Sequence, residues 1–441
     1  MCRCKIRKEK MILRMQLLNK ASLLRFLSAL LLIIIPYCLS AQTSIAEANK
    51  IYRGTLYSVR FHPEGQPDAI PAYALNSSTR LILQFDDLVE DFVAYRYKIV
   101  HCNKDWTVSD LGFNEYMEGL DEQEIQDYDF SNNAGIPYTS YRLTIPNRNT
   151  IPIISGNYCL IVWDPYTDET VLTRRFFVVD NKVGAEIQLR EPTRIDLIHT
   201  HHEFMVRVKY NKLRPTNPQR ELSLMLIQNG RFDNALTDFK PSFFEGQAIR
   251  YDQVGTIVFP GGNEFRQLDI RSLGFRGAQM EGGYIDPEKG YIFNLKPDLP
   301  RDGAPHIFIE DLNGAYVIQA FETANSQVDP EYVWVRFLLK MNPLPSGQKP
   351  YVFGGLTDWS LHPAYQMEYD YEQGGYSTML LLKQGFYHYQ YAVDNKGVAD
   401  LGVLEGDHFD TQNTYQLLVY YRPFGGRYDQ LIGIGRAVSG G

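Results

Sequence analysis

The chain has 441 residues, 44% hydrophobic and 22% charged, with 44 basic against 52 acidic side chains and a formal net charge of −8. That acidic balance excludes nucleic acid and anionic lipid as natural partners, because both require basic surface. Thirty tyrosines, 34 glycines and 23 prolines suit many short strands and tight turns better than long helices.

The first segment reads as a leader. Arg3, Lys5, Arg7, Lys8, Lys10, Arg14, Lys20 and Arg25 precede an apolar run, Phe26 to Ile35, which ends at Pro36 and is followed by the small residues Ser40 and Ala41. This pattern predicts a secretory signal peptide over 1–41, and the run is short for a membrane span. Bulky Tyr37 before Cys38 argues against a lipid anchor there. Removing the leader takes eight of the 44 basic residues and one of the 52 acids, leaving a net charge of −15. Cys102 and Cys159 are the cysteines that remain. In an oxidising compartment they could bridge, or they could be two small buried apolar side chains; spacing does not decide between these. The remaining length, about 400 residues, suggests two to four domains.

Beyond the leader the apolar pattern has a period of two. In 94–102, Tyr95, Tyr97 and Ile99 share a face. In 203–210, Phe204, Val206, Val208 and Tyr210 oppose Arg207 and Lys209. Val333, Val335, Phe337 and Leu339 alternate with Tyr332, Trp334 and Arg336. Tyr387, Tyr389, Tyr391 and Val393 align, as do Tyr415, Leu417, Val419 and Tyr421. Such alternation predicts strands with one face on a core and the other toward water. Asn229-Gly230, Asn313-Gly314, Gly374-Gly375 and the stretch 394–397 carry hairpin-turn chemistry. The expected fold is all-β, with several tandem immunoglobulin-like (E-set) β-sandwich domains. Breaks in the pattern divide it into an N-terminal β-sandwich over 42–182, a middle β domain over 183–325, a C-terminal immunoglobulin-like domain over 326–436 and a tail over 437–441.

Signatures of catalysis are missing: there is no G-x-S-x-G elbow, H-E-x-x-H, P-loop or C-x-x-C. No catalytic residue, metal or cofactor is therefore expected. His199, His201 and Glu203 would share a strand face and are zinc-ligand types. The competing reading is a polar strand start, because a rigid metal site draws ligands from several elements. Asp407, His408 and Asp410 crowd one loop, but calcium needs six to eight oxygens, and a polar loop before the strand at 414–422 is the favoured reading. Residues 351–367 resemble the opening of glycogen-binding-like sandwich modules. There Trp359, with Tyr387 or Tyr389, could stack on a sugar, or Trp359 could plug the end of a core.

Several segments together resemble one family. They are 95–147, with Trp106, Tyr116, Gly119, Ser131, Tyr138 and Tyr141; 155–163, with Gly156, Asn157 and Tyr158; 311–319; and 405–433, with Tyr420, Tyr421, Arg422, Gly426, Arg427, Tyr428 and Asp429. This ordered set is similar to the Plug component of the Bacteroidetes type IX secretion system. The resemblance implies a non-enzymatic periplasmic protein, monomeric when free, that seals the periplasmic opening of the large outer-membrane translocon barrel. The runner-up is an exported carbohydrate-binding or surface-polysaccharide accessory protein. In the terminal block, Arg427 and Asp429 are expected to pair or to cap carbonyls beside the turn at Gly425-Gly426, tying the tail to the body.

Overall fold

Alternating apolar residues fold into strands throughout the computed structural model, which describes residues 49–440 except 90, 133, 238, 275, 276, 324, 326 and 346. The leader expected over 1–41 lies outside the described residues. The first sandwich packs a six-stranded sheet against a four-stranded one. The larger sheet contains Arg96–Cys102, Gly156–Asp164 and Glu169–Val179; the smaller contains Leu56–Pro63, Leu81–Asp87 and Thr139–Ile145. Leu83, Phe85, Tyr95, Ile99, Tyr141, Tyr158, Leu160 and Phe176 fill the space between them.

The rest of the chain is nested. A five-stranded sheet that includes Gly184–Arg190, His201–Lys209 and Ala248–Tyr251 faces a three-stranded sheet made of Leu222–Gln228, Thr414–Tyr421 and Gln430–Val438. Their shared core holds Phe204, Val206, Val208, Leu224, Leu226, Tyr415, Leu417 and Val419. Between Val258–Pro260 and Thr414–Tyr421 the chain leaves this middle sandwich and builds a third. The third joins two five-stranded sheets, one around Gly385–Asn395 and one around Tyr332–Leu339 and Gly375–Lys383. Its core holds Val333, Val335, Phe337, Leu339, Tyr387, Tyr389 and Tyr391.

Strand pairing therefore runs across the 325/326 division expected from the sequence. Leu222 lies opposite Tyr421 and Gln228 opposite Tyr415, in antiparallel register. Ile292 lies opposite Trp334 in a parallel pair. The break near 297–305 and residues 327–331 lie in loops within the inserted sandwich, where proline interrupts the strands without ending a folding unit. Turn chemistry holds locally: Lys396 (φ 56°) and Gly397 (φ 89°) close the hairpin between Gly385–Asn395 and Val398–Asp400.

Several strands depart from the one-wet-face expectation, among them Gly156–Asp164 and Thr414–Tyr421. In Gly156–Asp164, Tyr158, Leu160 and Val162 face the first core, while Cys159 and Ile161 face a second apolar layer. In Thr414–Tyr421, Leu417 and Val419 face the middle core, while Leu418 and Tyr420 enter that same second layer. Trp106, Phe177, Ile227 and Leu431 complete it. The first and middle sandwiches are thus glued sheet to sheet. Each large apolar side chain withdrawn from water contributes about 1.5–3 kcal/mol before the entropy cost of ordering it.

Candidate functional site

The terminal block lies at the edge of that seam. Strand Thr414–Tyr421 runs into a turn closed by Gly426 N–H donating to the Pro423 carbonyl at 2.8 Å, with Gly425 at φ 79°. The turn holds Phe424 in solvent at 99% exposure. Behind it, the Arg422 guanidinium forms an ion pair with Asp429: Nη2 donates to Oδ2 at 3.1 Å, and Nε lies 3.0 Å from Oδ1. Asp429 is buried, and its Oδ2 also accepts from the Lys104 backbone N–H at 3.0 Å. Arg422 Nη2 donates to Asn103 Oδ1 at 2.5 Å. Asn157 Nδ2 donates to the Asn103 carbonyl at 3.2 Å, and Tyr420 Oη donates to Asn157 Oδ1 at 2.9 Å. A chain of charge-assisted and neutral hydrogen bonds thus links residues more than 250 positions apart in sequence.

Beside it, Tyr428 meets the edge of the His101 ring at 5.3 Å. His101 is held neutral, because burial drives its pKa down to about 4. Gly156 lies directly against it: a Cβ there would stand 2.3 Å from His101 Nε2, at φ +155°. Trp106, at φ 68°, packs edge-on against Phe177 at 5.4 Å and beneath the Arg175 guanidinium at 4.4 Å. Arg427 and Asp429 do not pair with each other. Arg427 instead forms an ion pair with Glu115 and donates to the Asp110 carbonyl at 3.2 Å. Both residues grip the first sandwich separately.

The other family-pattern positions also carry structure. Tyr116 is buried, and its hydroxyl donates to the Ile99 carbonyl at 3.3 Å; the Tyr158 hydroxyl donates to that of Ile154 at 2.8 Å. Gly119, at φ 119°, faces the Asn149 carbonyl at a distance that leaves no room for a side chain. Tyr421 is half-buried against the middle core. Cys102 and Cys159 are both free and buried. Cys102 lies opposite Asn157 and Cys159 opposite Val100, so the two are diagonal on adjacent strands and both enter the apolar seam. Burial pushes the Cys159 thiol up to about 12.

Tyr138 marks a second seam, between the first and inserted sandwiches. Its hydroxyl donates to the Pro330 carbonyl at 2.9 Å, and its ring lies 4.0 Å from Lys383 Nζ. Lys383 Nζ reaches Asp86 at 2.6 Å with both side chains under 5% exposed, and the Tyr332 hydroxyl donates to the same carboxylate at 2.7 Å. Burial pulls the Lys383 ammonium pKa below its ordinary value, against the attraction of Asp86. Arg174 and Asp358, 3.1 Å apart, form another ion pair between these two sandwiches. None of these four charged residues stood out in the sequence. The available signal was a charge placed directly after an apolar strand run, as in 81–86 and 378–383.

The chemistry-bearing candidates resolve into structure. Glu203 is fully buried; it pairs with Arg190 at 2.5 Å and accepts from the N–H groups of Thr193 and Gly255. His201 bonds its neighbour Thr200, while the buried His202 bonds Tyr415 Oη and the Phe409 carbonyl, each at 2.6 Å. Asp407 accepts from Gly262 N–H at 2.9 Å, and His408 N–H donates to the Gly262 carbonyl at 2.9 Å, so the 405–413 loop is stitched to the other connection between sandwiches. Among the described residues, no group of three or more His, Cys, Asp or Glu is placed to hold a metal ion. Nor do Trp359, Tyr387 and Tyr389 form a sugar platform. Tyr387 and Tyr389 are core residues, and Trp359 packs edge-on against Phe353 at 5.5 Å and Phe265 at 6.0 Å.

A cleft of about 650 Å³ opens beside the first seam, lined by Asn103, Lys104 and Asp105 of the first sandwich, Thr216, Arg220 and Glu221 of the middle one, and the turn from Arg422 to Gly426.

Residues 56–180 match the family model described as type 9 secretion system plug protein 1st domain. A crystal structure of a hypothetical protein from Parabacteroides merdae superposes with a TM-score of 0.85 at 31% identity, covering 89% of this chain and 99% of that one. The C-terminal domain of the Streptococcus pyogenes antigen I/II-family protein AspA covers 86% of this chain and 98% of its own at 6% identity, but its TM-score of 0.15 is too low to indicate a shared fold. No curated protein matches.

Proposed function

The chain belongs to the type IX secretion system plug protein family, and from that membership we propose that it is a non-enzymatic periplasmic plug that seals the inner mouth of the outer-membrane translocon barrel. One observation supports this beyond the family match. Residues from three of the resembling stretches converge on the seams between sandwiches, and their polar atoms are spent within the protein: Asn157 on Tyr420, Asp429 on Arg422 and Lys104, Tyr138 on Pro330. Such a pattern preserves a shape rather than a reaction. A pore wide enough for folded cargo leaks when idle, and a stiff body closes it by bulk. Reversible closure needs an interface of moderate area with a polar rim.

Affinity purification of the tagged protein from gently solubilised outer membranes tests the reading. A very large barrel protein should co-purify, and deletion of the plug should make cells permeable to bulky antibiotics only when that barrel is present. Recovery of no barrel, or permeability independent of it, would refute the proposal.

A further inference from the structure

The cleft at the first seam combines three features that point outward. Phe424 is fully exposed on a turn whose backbone is already fixed by the Gly426–Pro423 hydrogen bond and by the Arg422–Asp429 ion pair behind it. An aromatic side chain has few rotamers to lose, so one presented on a pinned turn binds with little ordering cost. The carboxylates of the cleft are committed internally. Asp429 is held by Arg422 and Lys104 N–H, Glu221 accepts from Thr216 N–H at 3.0 Å, and Asp105 accepts from Thr107 N–H at 3.1 Å. The ammonium of Lys104 and the guanidinium of Arg220, both exposed, have no ion-pair partner among the described residues. Lys104 and Arg220 thus stand as exposed cations beside an exposed ring, with Asp105 the one exposed carboxylate lining the same cleft.

We propose that this cleft is where the protein grips its outer-membrane partner, taking an extended segment of that partner in which a carboxylate stands beside an apolar side chain. The inference rests on the plug reading above and adds to it the surface used and the chemistry accepted. The partner's apolar side chain packs against Phe424, and its carboxylate meets Lys104 and Arg220. Rim charges of this kind govern association rate and its salt dependence, while the buried ring governs residence time.

The test compares wild type, Phe424→Ala and the double variant Lys104→Glu/Arg220→Glu in the same purification, with the barrel identified by mass spectrometry. All three substituted side chains are exposed, so melting temperatures should match wild type and confirm folding. Recovered barrel should fall at least ten-fold for each variant, and wild-type recovery should drop as salt rises. Equal recovery by wild type and both variants overturns the assignment of this surface while leaving the plug reading intact. Loss with Phe424→Ala but not with the charge reversal overturns the carboxylate. Wild-type self-association in sedimentation that Phe424→Ala abolishes would assign the turn to a second copy of the chain instead. Failure of wild type itself to recover the barrel defeats the plug reading and this inference together.

Discussion

The buried pair at the second seam offers a demanding test of how the sandwiches are joined. Asp86 and Lys383 lie 2.6 Å apart, nearly without solvent contact, and Asp86 also holds the Tyr332 hydroxyl. Replacing one partner leaves a buried charge uncompensated, which costs about 3–5 kcal/mol, whereas replacing both with apolar groups is often close to neutral. Lys383→Met should therefore destabilise the protein by about 3 kcal/mol or more, and Asp86→Asn by a similar amount. The double variant Asp86→Leu/Lys383→Met should cost much less than the sum. At roughly 2–4 °C per kcal/mol for domains of 150–250 residues, each single change lowers Tm by on the order of 6–12 °C. Guanidinium unfolding followed by tryptophan fluorescence reports on both bodies, since Trp106 and Trp163 sit in the first sandwich and Trp334 and Trp359 in the inserted one. Each single variant should also split a shared transition, because the seam gives way before either core. Single changes costing under about 1 kcal/mol, or strictly additive costs, would show that the pair does not couple the sandwiches.

Three further perturbations probe other parts of the same design. Gly156→Ala places a Cβ 2.3 Å from His101 Nε2 at a φ that disfavours L side chains, so thermal melting should show a loss of several °C or failure to fold. Tyr420→Phe orphans the buried Asn157 Oδ1 and should cost about 1–3 kcal/mol in denaturant titration; Asn157→Leu alone should cost as much, and the pair should not be additive. Burial raises the Glu264 carboxyl to about 7 and that of Asp311 to about 6. The native state therefore holds those protons more tightly than the unfolded chain. The penalty is absent below about pH 4 and complete above pH 7, so stability should fall as pH rises through that window, by on the order of 1–3 kcal/mol per group. Glu264→Gln should flatten the upper part of this decline, and an unchanged pH–stability curve would refute the assignment.

The strands and their core faces were legible because burial on one side writes a period of two into the sequence. Tyr95, Tyr97 and Ile99, the set from Phe204 to Val208, and the set from Val333 to Leu339 all lie where alternation put them. What alternation could not convey was which strands pair. Leu222–Gln228 chooses a neighbour some 190 residues downstream, and no local signal marks that choice. The second buried faces at 156–164 and 414–421 did leave a trace, in the near-continuous apolar runs around Leu160 and Leu418, which one-faced strands do not need. The terminal motif was visible as a cluster, but its partners were not. Arg427 and Asp429 stand close in sequence, yet they reach Glu115 and Lys104 of the first sandwich, more than 300 residues upstream.

Nesting has a mechanical consequence. A domain joined in tandem hangs on one linker and can swing about it. The inserted sandwich leaves and rejoins the middle one by two connections, and the returning loop is clamped. Glu405 is fully buried, receives Arg266 at 3.0 Å and Arg301 at 2.6 Å, and accepts from Tyr391 N–H at 2.8 Å. The first sandwich then bridges both, through Asn157 and Tyr420 to the middle one and through Asp86 and Lys383 to the inserted one. Three bodies joined pairwise close a triangle, and a triangle has no hinge that can open without breaking a side. Each side contains a buried polar or ionic contact that is expensive to leave unsatisfied, on the third side the Arg231 guanidinium donating to the Ala399 carbonyl at 3.0 Å. The contacts that oppose bending are those across the seams, among them Tyr138 on Pro330, Tyr420 on Asn157, and Asp429 on Lys104.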